Sequence, residues 1–417
     1  MAGLTRSDYV DMLEEMYILP GRMLDMIMRD NAALAILERE QRSLVGGRYV
    51  HVPVRYGRPQ GRSATFSDAQ TNRTPSQIDA FQVTYVSNYG VATIDGDVMD
   101  DSGTNVELVA DALEYEMDGA IANLRDDLAM SVFRNIGGAR AQVHPTTAPS
   151  TTTLTLANPE DTVHFEKNME LVASNDDGAD SGDALLNSGA SATVTGVDRL
   201  AGTLTSDSNW TAQIAALGVN DYLFVEGDFA NKMAGFDSWA PSAAPGATAF
   251  FGVARNVDTR LGGLRYDGTG LSIDESILNA CARVSLYRSK VTHGFINPIK
   301  LNALVKALES SSIRSRTMTV QGSGDAARFG FDAVVVDTGS GSVMMVGDPS
   351  CQLNIVWLVD RDAVTLGYSG ADFVRLIDDD GNPFLRETSN DGVELRVKHR
   401  GNLFTPAPSH IMRVAID

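Results

Sequence analysis

The residues best able to do chemistry in this chain are carboxylates in short runs. Asp378, Asp379 and Asp380, followed by Gly381, put Gly381 and Glu387 at the sixth and twelfth positions of a calcium-loop template, and Asp378 and Asp380 at the third and fifth. Oxygens at that spacing can wrap a hard cation. The first ligand position falls on Leu376, which cannot coordinate, so the run is read as an exposed turn before a strand. Asp95, Asp97, Asp100 and Asp101 form a second group, of a kind that can pass protons as acid and base. They stand just ahead of a long helical pattern, and anions gather at the positive end of a helix dipole, so they are read as a solvated turn at a helix start. His293, within VTHGF, is read as a hydrogen-bonded residue at a strand end and not as a lone catalyst.

Other chemistries fail on a missing residue. None of the six lysines follows a glycine, so no phosphate-binding GxxxxGK[ST] loop can be written. GxGxxG after a strand, GxSxG and HExxH are absent, and no two of the six histidines sit at a metal-ligand spacing. Cys281 and Cys351, seventy positions apart, make neither a disulfide framework nor a zinc pattern and are read as buried thiols. No catalytic, metal or cofactor site is assigned, and the expectation is a structural protein, not an enzyme.

Charge is the feature that needs explaining. The net charge of −20 over 417 residues argues against a general nucleic-acid binder, which needs clustered Lys and Arg to neutralise phosphates. Yet Arg42, Arg48, Arg55, Arg58 and Arg62 occur between Arg42 and Thr65 without one acid. From Leu156 to Ala230 thirteen acids face only Lys167 and Arg199, a net of −11. No apolar run approaches the ~18 residues of a membrane span, and the first residues lack the pattern of a secretory signal. A protein made in the cytoplasm, with no membrane role, is expected.

The elements that would position these residues follow from periodicity. Residues 1–45 read as two amphipathic helices broken at Pro20-Gly21, with Leu24, Ile27, Met28, Leu34 and Leu37 at helical spacing. Residues 46–80 are polar and give no helix signal; YVHVPVRY alternates and suggests a two-stranded ribbon, in which Pro53 must take a position without a ladder bond. Residues 81–101 read as a strand ending in an acidic turn. Thr104 and Glu107 make a capping box, and Val109, Leu113, Met117, Ile121, Leu124, Leu128 and Val132 follow at steps of three and four, up to Asn135-Ile136-Gly137-Gly138. Such a helix of about thirty residues is a rod of roughly 45 Å.

Residues 150–230 turn to short strands between Gly, Asp and Ser turns, with a flexible tip at Ser174–Ser188. Residues 231–270 are irregular. Two helices follow, one after a Ser272–Glu275 capping box and one after Asn297-Pro298, and strands interleave with them. The tail is β again, with a hairpin over Phe384–Thr388 and VELRVKHR and a last strand at His410–Ile416. The class is α+β.

This order resembles the major capsid fold of tailed bacteriophages, a fold shared with encapsulins. FQVTYVSNYGVATIDGDVMDDSGTNVELVADALEYEMDGAIANLRDDLAMSVFRN resembles the strand and spine helix of that family, and SIDESILNACARVSLYRSKVTHGFINPIKLNALVKAL its first axial-domain helices. The resemblance implies an N-terminal helical arm at 1–45, an extended loop at 46–80 and a peripheral strand and spine helix at 81–149. It further implies a β-rich acidic insertion at 150–230, a connector at 231–270, an axial domain at 271–350, and an axial end with a β return to the peripheral sheet at 351–417. It implies a shell subunit that forms pentamers and hexamers around DNA bound without sequence specificity, located in the virion and assembled in the host cytoplasm. A separate scaffolding protein, a portal protein and a decoration protein are its implied partners, and no cofactor is implied. Arg48, Arg55, Arg58 and Arg62 of the extended loop become candidates for contact with a neighbouring subunit. The insertion would form a knob on the outer face. In some members a lysine of the extended loop forms an isopeptide bond with a neighbour; residues 46–82 contain no lysine, so that chemistry is not carried over. An encapsulin-type compartment is the alternative within the fold, and a carbohydrate-binding or adhesion β-protein the alternative outside it.

Overall fold

The computed structural model describes residues 31–42, 44, 47–95, 106–310, 315–319, 332–339, 341–370, 372–377, 384–386 and 392–417. Of the helical arm expected at 1–45, residues 1–30 lie outside the described residues, as do Asp97, Asp100, Asp101, Thr104, the Asp378–Gly381 run and Glu387. The described part corrects that expectation: the helix is Ala32–Ile36 only, and Glu38–Gln41 is a strand that pairs with Thr365–Tyr368. The chain divides into two compact units, Met1–Asp30 with Ser87–Leu128 and Tyr368–Gly401, and the remainder.

In the first unit the strand Val86–Asp95 pairs with Gly392–Phe404, which also pairs antiparallel with Phe384–Arg386 and Arg375–Leu376. The long helix runs Val106–Phe133, and its residues up to Leu128 belong to this unit. Leu124 and Leu128 are buried on it, as are Leu395 and Val397 on the facing strand, so the 3.6-residue and two-residue periods meet in one apolar layer. The approach is close at Gly90, where a Cβ would stand 3.3 Å from the Ala120 carbonyl oxygen.

The second unit holds two larger sheets, each with its own core. A seven-stranded sheet runs in the order Leu264–Asp267, Ile411–Ala415, Ile355–Val359, His293–Ile296, Gly341–Gly347, Asp332–Thr338 and Ser315–Thr319. It is mixed: Leu264–Asp267 with Ile411–Ala415, and His293–Ile296 with Gly341–Gly347, are parallel, and the other pairs antiparallel. Helix Pro298–Ser310 lies in the crossover between the parallel strands His293–Ile296 and Gly341–Gly347, helix Ile273–Leu286 precedes it, and the two bury Ile277, Cys281, Val284, Leu304 and Leu308 with Val336, Met345 and Leu358 of the sheet. Asn297 caps the second helix by accepting from the Ile299 amide at 3.0 Å, with Pro298 at its first position. Ser272 does stand at the cap of the first, but its hydroxyl makes no cap bond; it is exposed, and water competes for it. The expected capping box is not formed.

The acidic stretch folds as a six-stranded sheet, Ala141–Gln142, Tyr222–Val225, Glu170–Ser174, Ala192–Asp198, Thr203–Ser206 and Thr153–Thr155 in order. Leu154, Phe165, Leu171, Leu204, Trp210 and Leu223 fill a core that shares no residue with the seven-stranded sheet. Its entering and leaving strands are neighbours, since Gln142 pairs with Tyr222.

The ribbon is Val50–Gly57 paired antiparallel with Gln77–Val83. Val50, Val52, Val54, Phe81 and Val83 point inward and are buried, while Pro53 is exposed opposite Ala80, so its missing N–H costs no buried bond. Two expectations are corrected here. The polar stretch does contain a helix, Phe66–Thr71, whose Thr65 cap accepts from the Asp68 amide; a six-residue helix held by its cap leaves no apolar period to read. The strand expected through residues 81–101 is two strands, ended at Val83 and restarted at Val86, because the first belongs to the ribbon and the second to the other unit.

Candidate functional site

The ribbon is seated along one half and bare along the other. Phe81 packs edge-on against Trp239, ring centroids 5.0 Å apart, and the Gln82 amide donates to the Phe251 carbonyl at 2.8 Å. The register then shifts between Arg55 and Gly57, and this bulge presents the Tyr56 carbonyl to the Arg260 guanidinium, which donates to it. Beyond it, every residue from Arg58 to Pro75 except Ala69 is exposed. No residue of the helix Phe66–Thr71 is buried, and Phe66 (78% exposed) and Ile78 (65% exposed) present bare apolar side chains.

Where the ribbon leaves the body a groove of about 600 Å³ opens between Val54–Gly57, the turn after helix Ile273–Leu286, and the segment Pro406–His410. Arg55, Arg58, Arg260, Arg288 and His410 line it, and no Asp or Glu does. Arg260 is neutralised by Asp258, but Arg55, Arg58 and Arg288 have no ion pair among the described residues. Of the four arginines expected to form a contact, Arg55 and Arg58 meet in this groove. Arg48 precedes the ribbon and Arg62 lies beyond it, both exposed and without an ion pair among the described residues.

Arg260 and Arg288 are members that the sequence reading missed. Arg260 sits in an irregular Gly-rich stretch and gives no pattern. Arg288 had a readable signal, its place one step past the apolar stripe that ends at Val284. There it has φ +59°, the left-handed position usually kept for glycine, with Ser289 donating back to the Val284 carbonyl at 3.1 Å to close the helix. A side chain is held at this position against a backbone cost of about 1–2 kcal/mol.

The acidic sheet carries the opposite charge. Its loop after Glu170–Ser174 brings single carboxylate oxygens of Asp176, Asp177 and Asp183 within 4.8 Å of one another. Burial, with Asp176 and Asp183 nearby, raises the Asp177 pKa, while bonds from the Ala179 amide (3.0 Å) and the Asn135 side chain (2.7 Å) oppose the rise. Gly137 fixes the loop's seat, since a Cβ there would stand 1.9 Å from the Asp177 carbonyl oxygen.

His293 opens a strand and shares a 2.9 Å hydrogen bond with the Thr292 hydroxyl; burial lowers its pKa. Cys281 and Cys351 are free and buried, and burial pushes the Cys281 thiol up to about 12. Among the described residues no helix is long and apolar enough to cross a membrane.

No protein-family model matches the sequence, and no curated protein matches it. Solved structures do match over almost the whole chain. The capsid asymmetric unit of cyanophage A-1(L) superposes with a TM-score of 0.53 at 10% identity, over 96% of this chain and 97% of that one. The capsid of a native GTA particle gives 0.48 at 10% identity over 96% of each chain. The holo-SrpI encapsulin of Synechococcus elongatus gives 0.45 at 7% identity, over 97% and 94%. With the long helix, the seven-stranded α+β sheet and the exposed ribbon in one chain order, the match settles the architecture: this is a protein of the tailed-phage capsid fold.

Proposed function

We propose that the chain is a structural subunit that self-assembles, through pentamers and hexamers, into an icosahedral shell enclosing packaged viral DNA. The observation that carries this reading is the ribbon end. A run of eighteen residues, Arg58–Pro75, with Ala69 alone not exposed, and a helix that buries nothing, gain little from the chain's own core. Ordered polar segments of that length are stabilised by something they contact. Within this reading residues 46–80 are the extended loop, 150–230 an insertion on the outer face, 271–350 the axial domain, and Arg48, Arg55, Arg58 and Arg62 make contacts to a neighbouring subunit. The net charge of −20 suits a container that does not hold DNA by its sequence. A scaffolding protein, a portal and a decoration protein are the partners it calls for, in a virion assembled in the host cytoplasm.

Negative-stain microscopy and light scattering of the purified chain, alone and co-expressed with its scaffolding partner, test the proposal. Closed particles tens of nanometres across are the expected result. A monodisperse monomer under both conditions defeats it, and particles filled with one cargo protein and no nucleic acid assign the chain to a compartment instead.

A further inference from the structure

The arginine groove and the acidic loop each lack a counter-charge in their own copy. In the groove Arg55, Arg58 and Arg288 converge without a carboxylate, in a chain whose acids outnumber its bases by twenty. Their mutual repulsion is raised further by the Pro406–Pro408 wall, which carries no charge to screen them. On the loop Asn175–Asp183 the carboxylates of Asp176, Asp177 and Asp183 converge and the Asp180 amide donates to Asp183, and none of the four has an ion pair among the described residues. Both surfaces are anchored: the groove by the Arg260 contact to the ribbon and the closed helix end at Arg288, the loop, expected from the sequence as a flexible tip, by Gly137 and Asn135.

We infer that the groove is the seat for the loop Asn175–Asp183 of a second copy of this chain. The inference rests on the shell reading and names the partner surface of its arginines. Guanidinium groups match carboxylates in paired, charge-assisted hydrogen bonds, and three free arginines meet a four-aspartate loop with near balance. The volume favours a peptide loop over a nucleic-acid strand. About 600 Å³ holds a few residues, and the groove is also lined by Leu286 (76% exposed) and Tyr287, apolar surface that a docked loop can cover. The groove and the loop are different patches of one subunit, so the contact is head-to-tail, and a head-to-tail contact repeated around an axis closes a ring.

Mixing two full-length variants tests it. One carries Arg58→Cys or Arg288→Cys, the other Asp180→Cys; both native cysteines are buried, so a short bismaleimide joins only the introduced thiols. A covalent dimer formed from the mixture, and from neither chain alone, is expected, and it should fade as salt rises. Arg55→Glu with Arg58→Glu and Arg288→Glu should cut particle yield more than about tenfold, and adding Asp176→Lys, Asp180→Lys and Asp183→Lys in the same chain should restore it. Particles that form normally with no dimer in the mixture overturn the inference and leave the shell reading standing. Single-stranded DNA retained through Arg55, Arg58 and Arg288, with no dimer, assigns the groove to nucleic acid and also overturns it. Failure of the unmodified chain to form particles is a failure of the shell reading, whatever the dimer shows.

Discussion

Arg260 grips the Asp258 carboxylate at both oxygens, Nε to Oδ1 at 3.0 Å and Nη2 to Oδ2 at 2.6 Å, and the same Nη2 donates to the Tyr56 carbonyl. Asp258 accepts from the Arg260 amide as well, so one carboxylate both caps the turn Thr259–Gly262 and fixes the guanidinium that holds the ribbon's bulge. The Asp258 pKa is lowered chiefly by that side-chain bond.

Arg260→Ala should therefore act locally. Partly exposed ion pairs contribute ~1 kcal/mol or less, so the thermal midpoint should hardly move. The ribbon beyond Gly57 loses its hold, and trypsin should cut at Arg62 or Arg73 several-fold faster. Arg260→Lys should behave like the alanine variant, because an ammonium cannot span two carboxylate oxygens and a carbonyl in one plane. Unchanged proteolysis in both would show that the bulge is held by the strand pairing alone.

The acidic sheet should unfold as a separate body. Trp210 is fully buried in its core and donates from Nε1 to the Thr152 carbonyl at 3.0 Å. Trp210→Ala should cost about 3–5 kcal/mol from the cavity and the lost bond. Because this core shares no residue with that of the seven-stranded sheet, calorimetry should show one transition moving down and another unmoved. Leu358→Ala should do the reverse. A single transition shifting in both variants would show one cooperative unit.

How far these features were legible in the sequence differs by element, for physical reasons. The long helix was readable from its apolar stripe, and the helix after Asn297-Pro298 from a stripe and a cap together; the described helices run Val106–Phe133 and Pro298–Ser310. Ser272 and Glu275 gave the same pattern without the bond, since a cap residue's type does not fix its rotamer in water. The helix Phe66–Thr71 buries nothing, so it left no period to find. The groove was half legible. Arg55 and Arg58 stood out by charge, while Arg260 and Arg288 reach it from segments some two hundred residues away in the chain, and only the fold brings them together.

His293 should make stability pH-dependent. Its pKa is lowered mainly by burial, with Arg361 adding to the fall and Asp360 and Asp362 opposing it, so the folded state keeps the ring neutral while the unfolded chain takes up a proton more readily. Its contribution is fully present above the unfolded value near 6.5 and is lost as pH falls below it. Thermal midpoints should thus fall between pH 7 and pH 5, and His293→Gln should flatten part of that slope. An equal slope in the variant would place the dependence on other groups.

A shell built from this chain should hold without covalent links. The isopeptide lock of some capsid relatives needs a lysine in the extended loop, and residues 46–82 hold none. Three of the six lysines elsewhere are engaged within the chain: Lys232 is buried against Asp228 at 3.0 Å, Lys290 lies 3.7 Å from Asp360, and Lys398 stands over the Tyr89 ring. Disulfides are no substitute, because burial holds the Cys281 and Cys351 thiols protonated, and a thiol must ionise to react. Cohesion then comes from apolar surface such as Phe66 and Ile78, at ~25 cal/mol per Å² over many copies, and from charge pairing at the ribbon. Particles boiled in detergent and reductant should release one band at the monomer mass of 44.7 kDa. A ladder of dimers to hexamers would reveal a bond between subunits that the ribbon's side chains cannot make.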